Sequence, residues 1–180
     1  MSDIPSHGVI AEPSAWVVRW LGRIPRGGRV LDVAAGSGRH ARLLAARGHP
    51  VEAVDRDAAA LAALEGLPGI RTRVADIESG PWPYAGHTFA GVVVTNYLHR
   101  PLLPTLVAAV EPGGVLIYET FALGNERFGR PSNPEFLLRP GELLEAVRGE
   151  LRVIAYEDLE VDSPKPAMVQ RICAQRPAGP

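Results

Sequence analysis

A strand that runs into a glycine turn and then into a helix restricts the fold of this chain more than any other segment. Residues 30–40 are Val-Leu-Asp-Val-Ala-Ala-Gly-Ser-Gly-Arg-His. Glycine allows positive φ and lets a ligand approach the backbone closely, because it has no Cβ. Gly36, Gly38 and Ala41 also satisfy G-x-G-x-x-A, a variant of the dinucleotide-binding fingerprint. The turn therefore predicts an α/β sheet with a ligand at the carboxyl ends of its strands.

Strand-like and helix-like segments alternate along the whole chain, which is typical of a parallel sheet covered by helices. Seven strands are predicted, at residues 29–34, 51–54, 70–74, 89–95, 115–120, 151–156 and 168–174. Helices are predicted at residues 15–21, 39–47, 58–65, 102–110 and 141–148. Only a short turn separates the last two strands, so these two must pair antiparallel. We expect residues 1–180 to form one doubly wound α/β domain.

Composition narrows the classes of function. The formal net charge of −1 provides no overall attraction to nucleic acid. Cys173 is the only cysteine, which excludes an internal disulfide and a thiolate metal cluster. No apolar run approaches the roughly 20 residues of a transmembrane helix, and the N-terminus lacks the pattern of a secretory signal. We therefore expect a cytoplasmic protein without a membrane, metal or nucleic-acid partner.

Three aspartates accompany the first three predicted strands. Asp32 lies inside the first strand, where a buried charge is costly without a partner. Asp55 follows the second strand, 19 residues after Gly36, and suits a carboxylate that accepts both hydroxyls of a ribose. Asp76 follows the third strand, and Ile77 beside it offers an apolar surface for an adenine ring. Simpler roles remain open: a loop cap for Asp32, a helix cap for Asp55 and turn chemistry for Asp76.

With these motifs the chain resembles the class I S-adenosylmethionine-dependent methyltransferases over nearly its whole length. The matching segments are Val-Leu-Asp-Val-Ala-Ala-Gly-Ser-Gly at 30–38, Val-Asp at 54–55, Val-Ala-Asp-Ile at 74–77, Asn-Tyr-Leu-His at 96–99 and Glu-Pro-Gly-Gly-Val-Leu at 111–116. The chain departs from the family pattern at Ala34 and Ala35, where a second glycine is usual, and at Ala90, where aspartate is frequent. The segment 136–144 is similar to the tellurite-resistance and thiopurine-like small-molecule methyltransferases.

The resemblance implies a Rossmann-like sheet of order 3-2-1-4-5-7-6, with strand 7 antiparallel, and S-adenosylmethionine as the cofactor. The cofactor-binding positions it implies are Asp32, Ala34, Gly36, Gly38, Asp55, Arg56, Asp76, Ile77 and Asn96. The glycines are expected under the methionine part, with Asp32 near it. Asp55 is expected at the ribose, Asp76 at the adenine amino group and Asn96 near the sulfonium.

The methyl acceptor is expected beyond the ends of the fourth and fifth strands. Tyr97, His99, Arg100 and Glu119 follow or end these strands. His99 is the candidate catalytic base, because the unperturbed pKa of histidine is close to neutral. Simpler roles remain open here as well: a histidine that bonds the backbone, a tyrosine that only forms a wall, and a glutamate paired with an arginine.

Residues 121–139 form a long segment without clear periodicity, directly after the fifth strand. Loops of this length in compact domains are usually functional or disordered. We expect a lid that closes over the acceptor, with Arg130 or Asn133 contacting it. A mobile surface loop is the alternative.

Three other functions stay open. The glycine turn is shared with NAD(P)-dependent oxidoreductases, which Asp32, the Asp76-Ile77 pair and the antiparallel end disfavour. A non-catalytic S-adenosylmethionine-binding module is not excluded by any feature of the sequence. A macromolecular acceptor is disfavoured by the near-zero charge and the absence of an appended domain. We expect a monomer or homodimer that methylates a small molecule.

Overall fold

The computed structural model describes residues 11–179, which form one seven-stranded sheet. Its order is β3-β2-β1-β4-β5-β7-β6, and β7 runs antiparallel to both β5 and β6. The strands are β1 (Val30–Val33), β2 (Val51–Asp55), β3 (Ile70–Val74), β4 (Phe89–Thr95), β5 (Val110–Phe121), β6 (Arg152–Val161) and β7 (Ala167–Gln175). The predicted order and the predicted antiparallel end are both confirmed.

Five short helices cover the two faces of the sheet. They are α1 (Ala15–Trp20), α2 (Arg39–Ala46), α3 (Ala58–Ala62), α4 (Leu103–Ala108) and α5 (Glu142–Val147). Side chains from α1, α2 and α3 pack with one face of the central strands. Side chains from α4 and α5 pack with the other face. Because successive residues of a strand point to opposite faces, β1 contributes Val30 to the first core and Leu31 to the second.

Two strand boundaries differ from the prediction by five residues, and strand pairing explains both. Helix α3 also ends at Ala62, three residues before its predicted end. Strand β5 begins at Val110 rather than residue 115, because Val110 pairs with Phe89 ahead of an irregularity in the register. Helix α4 consequently ends at Ala108. Strand β6 continues to Val161 rather than residue 156, because pairing with β7 extends through the second half of the hairpin.

The topology brings the carboxyl ends of β1, β2, β3, β4 and β5 to the same edge of the sheet. The side chains that follow these strands therefore meet there, although they are far apart in the chain. None of the helices within residues 11–179 has the length and apolar character needed to cross a membrane.

Candidate functional site

A cavity of about 360 Å³ lies at this edge of the sheet, and we call it the first cavity. Its size is within the usual range for small-molecule sites. Its walls come from the residues after β1, β2, β3 and β4, the end of β5 and the long loop beyond: Ala34, Asp55, Arg56, Ala75, Asp76, Ile77, Glu78, Asn96, Tyr97, Leu98, Thr120, Phe121, Pro131 and Phe136. Six of the nine predicted cofactor-binding residues are in this set.

The turn between β1 and α2 uses left-handed backbone at Ala34, Gly36 and Gly38, with φ of 53°, 54° and 79°. A Cβ on Gly36 would meet nothing within 4 Å, so this turn leaves open space beside its backbone. A Cβ on Gly38 would lie 2.4 Å from the methyl carbons of Leu64. Gly38 is buried and is not part of the cavity wall. Its role in the described structure is therefore the close packing of α2 against the residues after α3.

Ala34 carries strain that a glycine would relieve. Left-handed backbone costs a residue with a Cβ about 1–2 kcal/mol, and the greater freedom of glycine in the unfolded chain offsets about 0.4–1 kcal/mol of that. We expect Ala34→Gly to raise the free energy of unfolding by about 0.5–1 kcal/mol, measured by urea denaturation. Ala35, whose φ is not positive, provides the control, and Ala35→Gly is expected to lower it. Equal effects at the two positions would contradict the strain at Ala34.

The Asp55 carboxylate ends β2 on the wall of the first cavity. Its Oδ2 accepts a hydrogen bond from the Gly36 amide at 2.8 Å, and its Oδ1 accepts one from the Asp57 amide at 2.9 Å. Each carboxylate oxygen keeps a second lone pair for a ligand. The helix-cap role belongs to Asp57, whose side chain accepts from the Ala60 amide. Asp55 is therefore held in place by the backbone with acceptor capacity to spare, and Arg56 lies beside it on the same wall.

Asp76 lines the first cavity and also holds the turn that follows β3. Its carboxylate accepts hydrogen bonds from the amides of Glu78 and Ser79 and from the Ser79 hydroxyl. These bonds, the one from the hydroxyl first, hold the pKa of Asp76 below its ordinary value. Ile77 next to it is buried and presents an apolar surface to the cavity.

Tyr97 also lines the first cavity. Its hydroxyl oxygen is buried and has no hydrogen-bond partner within residues 11–179. Burial, followed by the nearby Glu78 carboxylate, raises the pKa of Tyr97. The hydroxyl therefore stays neutral at ordinary pH.

Asn96 lies where two cavities meet. Its φ is 53° and its side chain is exposed. It lines both the first cavity and a second cavity of about 510 Å³, and Phe121 is the other residue common to the two walls. We call the larger space the second cavity.

Asp32 lies apart from both cavities. It is 2% exposed within β1, and its Oδ2 has no hydrogen-bond partner within the described residues. Burial raises its pKa to about 7, although the Ala41 amide and the Arg39 charge act in the opposite direction. Because the side chain lines neither cavity, the expected place of Asp32 near the methionine part stays a prediction.

His40, which the sequence did not single out, joins the N-terminal segment to the sheet. Its Nε2 accepts a hydrogen bond from the Ser14 amide at 3.0 Å, and its Nδ1 is 3.3 Å from the Thr95 hydroxyl. Burial lowers the pKa of His40 to about 3, so the ring stays neutral and keeps its acceptor at ordinary pH. The Ser14 hydroxyl also donates to Glu119 at 2.7 Å. These bonds seat residues 11–14 beside the ends of β4 and β5.

The acceptor candidates do not all converge. Tyr97 lines the first cavity and Glu119 lines the second, where it pairs with Arg171 at 3.1 Å. His99 is half-buried and lines neither cavity. Arg100 is held by Glu142, at 2.6 Å, and by carbonyl oxygens of the long loop. The structure therefore does not support His99 or Arg100 as acceptor contacts.

The loop 121–139 is fastened at its base. Leu138 donates to the Phe121 carbonyl and Leu123 donates to the Leu138 carbonyl, both at 2.9 Å. The buried Asn125 side chain donates to the Pro131 carbonyl. The loop contributes Pro131 and Phe136 to the first cavity, whereas the predicted acceptor contacts, Arg130 and Asn133, do not line it.

Those predicted loop contacts have other positions. Arg130 is exposed, and Asn133 accepts from the Glu135 amide to cap a single helical turn. Neither side chain lines the first or the second cavity.

The first cavity fits a molecule with a flat apolar ring and neighbouring hydroxyls. Ile77 and Phe136 provide apolar contact, and Asp55 provides acceptors for hydroxyls. An adenosine group has these features, so the residues present fit the cofactor that the resemblance implies.

Comparison with known proteins gives a consistent result. Residues 30–114 match the model of a family described as a methyltransferase domain. No protein of curated function matches the chain in sequence. Among solved structures, TehB from Haemophilus influenzae is similar with a TM-score of 0.71 and 18% identity, over 88% of this chain and 61% of TehB. The chain thus spans less than two thirds of the length of TehB.

Two further structures extend the similarity. An S-adenosylmethionine-dependent methyltransferase from Mesorhizobium loti has a TM-score of 0.68 and 18% identity, over 90% of this chain and 98% of its own. The 1,6-didemethyltoxoflavin-N1-methyltransferase of Burkholderia thailandensis, solved with 1,6-didemethyltoxoflavin and S-adenosylhomocysteine, has a TM-score of 0.65 and 18% identity, over 90% and 76% of the two chains. Residues 30–114 thus match a methyltransferase domain, and the chain shares the fold of these S-adenosylmethionine-dependent methyltransferases.

Proposed function

We propose that this protein is a methyltransferase that binds S-adenosylmethionine in the first cavity and methylates a small molecule. The observation that carries the proposal is the Asp55 carboxylate, fixed by the Gly36 amide at the end of β2 with acceptor capacity left for ribose hydroxyls. Ile77 would provide an apolar surface for the adenine, and Asn96, which lines both cavities, would lie near the sulfonium. The turn that contains Gly36, and Arg39 after it, would hold the amino-acid end.

The cofactor supplies an electrophilic methyl group, so the chain needs to orient the acceptor and exclude water. The long loop and the segment 11–14 would exclude water, because they line the two cavities on either side of Asn96. No base is required for this role, which is consistent with the position of His99 away from both cavities.

A nicotinamide cofactor fits the glycine turn less well. A dinucleotide fold holds its pyrophosphate on free amides of this turn. Here the Gly36 amide donates to Asp55, and the Gly38 amide donates to the Ala35 carbonyl at 2.9 Å. Two amides are thus occupied, and the carboxylate would repel a pyrophosphate.

A small-molecule acceptor is supported by the similar structures. The Burkholderia enzyme was solved with 1,6-didemethyltoxoflavin, and a coclaurine N-methyltransferase with 16% identity was solved with N-methylheliamine. The formal charge of −1 disfavours a nucleic-acid acceptor. A cytoplasmic monomer or homodimer is part of the proposal.

Thermal unfolding with added ligand tests the cofactor. At a concentration 100 times its Kd, S-adenosylhomocysteine should stabilise the protein by about 2.7 kcal/mol. For a chain of this size, that raises the Tm by about 5–10 °C. NAD at the same concentration should leave the Tm unchanged. Stabilisation by NAD but not by S-adenosylhomocysteine would overturn the proposal.

A further inference from the structure

Helix α2, which follows the glycine turn, begins without a side-chain cap. Its N-cap residue is Gly38, which has a φ of 79° and no side chain to bond the first amides of the helix. A helix start of this kind depends on groups outside the helix to hold it. Arg39 and His40, the first two residues of α2, make two such contacts, and both are with the segment 11–14.

These two contacts are hydrogen bonds to the backbone of the segment 11–14. The Arg39 guanidinium donates to the Glu12 carbonyl at 3.0 Å, and the His40 Nε2 accepts from the Ser14 amide at the same distance. The Arg39 bond is exposed to solvent, whereas the His40 side chain is buried. Since a buried donor or acceptor that loses its partner is costly, the bond of His40 is the stronger of the two.

The bond to Ser14 also determines where the His40 ring carries its hydrogen. An amide N–H donates only to a nitrogen with a free lone pair, so Nε2 is unprotonated and the ring is neutral. The hydrogen then lies on Nδ1, which is 3.3 Å from the Thr95 hydroxyl oxygen and donates to it. Burial, followed by the Arg39 charge, lowers the pKa of His40 to about 3, in agreement with a neutral ring. One side chain thus joins α2 both to the segment 11–14 and to the end of β4.

The Ser14 residue that His40 holds is itself bonded to the sheet. Its hydroxyl donates to Glu119 of β5 at 2.7 Å, and the same oxygen accepts from the amides of Trp16 and Val17 to cap α1. His40 therefore connects the start of α2 to a fixed part of the structure rather than to a free chain end.

We propose that His40 is a positioning residue, which fixes the start of α2 and with it the turn and the Arg39 side chain that would hold the amino-acid end of S-adenosylmethionine. This inference rests on the proposed function. His40 lines neither cavity, so it acts through the turn and Arg39 rather than by contact with the ligand. The adenosine part would lie in the first cavity, whose wall includes neither Arg39 nor the segment 11–14. Loss of His40 should therefore affect the binding of the amino-acid end and spare that of the nucleoside.

Two ligands that differ only in the group on the sulfur test this role by calorimetry. S-adenosylhomocysteine has the amino-acid end, whereas 5′-methylthioadenosine has a methyl group in its place. We expect His40→Leu, which removes both ring bonds, to weaken S-adenosylhomocysteine binding at least tenfold and 5′-methylthioadenosine binding less than twofold. His40→Gln can place an acceptor oxygen near the former position of Nε2, so it should bring the S-adenosylhomocysteine affinity back to within threefold of the wild-type value.

His49 provides the matched control. It is also a buried histidine, its Nδ1 is 3.0 Å from the Gly28 carbonyl, and it lines neither cavity. His49→Leu removes a ring bond of the same kind far from the turn, and it should leave both affinities within twofold of the wild-type values. Nitrogen NMR of the labelled protein without ligand provides a second readout, and it should show the His40 ring neutral at pH 7 with its hydrogen on Nδ1.

Four results would overturn the role of His40. They are an unchanged S-adenosylhomocysteine affinity in His40→Leu, an equal loss for the two ligands, no recovery in His40→Gln, and a hydrogen on Nε2. If His40→Leu does not fold, His40→Asn replaces it with the same expected difference between the ligands, because its side chain keeps a donor near the position of Nδ1 and is too short to accept from Ser14. Failure of the wild-type protein to bind either ligand would refute the proposed function together with this inference, whereas the four results above refute the role of His40 alone.

Discussion

Replacing Asp55 with alanine is expected to weaken the binding of S-adenosylhomocysteine at least a hundredfold. A hydrogen bond to a charged group contributes about 1.5–3 kcal/mol, and the variant would lose two of them, one to each ribose hydroxyl. The loss of about 3–6 kcal/mol corresponds to roughly a hundredfold to ten-thousandfold in Kd. Isothermal titration calorimetry measures the change directly, and circular dichroism shows whether the variant is folded.

Two further variants distinguish a direct effect of Asp55 on the ligand from an effect on the stability of the neighbouring turn. Asp57→Ala removes only the cap of α3, since Asp57 is exposed and does not line the first cavity. It should lower the stability by about 1 kcal/mol and leave the affinity within twofold. Asp55→Asn keeps the shape of the side chain with fewer acceptor sites, and its affinity should be intermediate. An Asp55→Ala protein that binds within threefold of wild type would remove Asp55 from the cofactor site.

The sequence predicts the order and direction of the strands, but it does not predict where each strand begins and ends. Motifs at successive strand ends identified the family pattern, and the short turn before the last strand required an antiparallel end. The irregular pairing that starts β5 at Val110 depends on Phe89 in a neighbouring strand. Local periodicity contains no information about such a partner, so the strand was predicted to start too late.

The same contrast applies to the site. Asp55, Asp76 and Asn96 line the first cavity because each directly ends or closely follows a strand whose position the topology determines. His99 and Arg130 lie within loops, where the direction of a side chain depends on distant partners. Arg100 is an example, because its side chain is held by Glu142, 42 positions further along the chain.

Some functional positions were missed although a signal existed. Thr120 lines the first cavity, and it lies two residues after Tyr118, on the same face of β5. The period of two therefore indicated its direction. No comparable signal existed for His40, because its partner Ser14 is 26 residues away in an irregular segment.

Removing the Asp32 carboxylate is expected to change how stability depends on pH. Asp32 is 2% exposed, and burial raises its pKa from 3.8 to about 7. Below about pH 4 the carboxyl is protonated in both states and adds no penalty. Between about pH 4 and 7 it ionises only in the unfolded chain, so the folded state loses stability as the pH rises. Above pH 7 the full penalty is present, on the order of 4 kcal/mol.

The Asp32→Asn variant lacks this penalty at every pH. At pH 8 its free energy of unfolding should exceed that of the wild-type protein by about 2–3 kcal/mol, after an allowance for the imperfectly bonded amide. The difference should shrink as the pH falls toward 4.5, measured by urea denaturation at fixed ionic strength. Asp32→Ala should follow the same slope with a constant offset, because it also removes the carboxyl but leaves a small void. If the difference from the wild-type protein were independent of pH in both variants, the raised pKa would be refuted and Asp32 would be a carboxylate that the fold of the β1–α2 turn stabilises in its charged form.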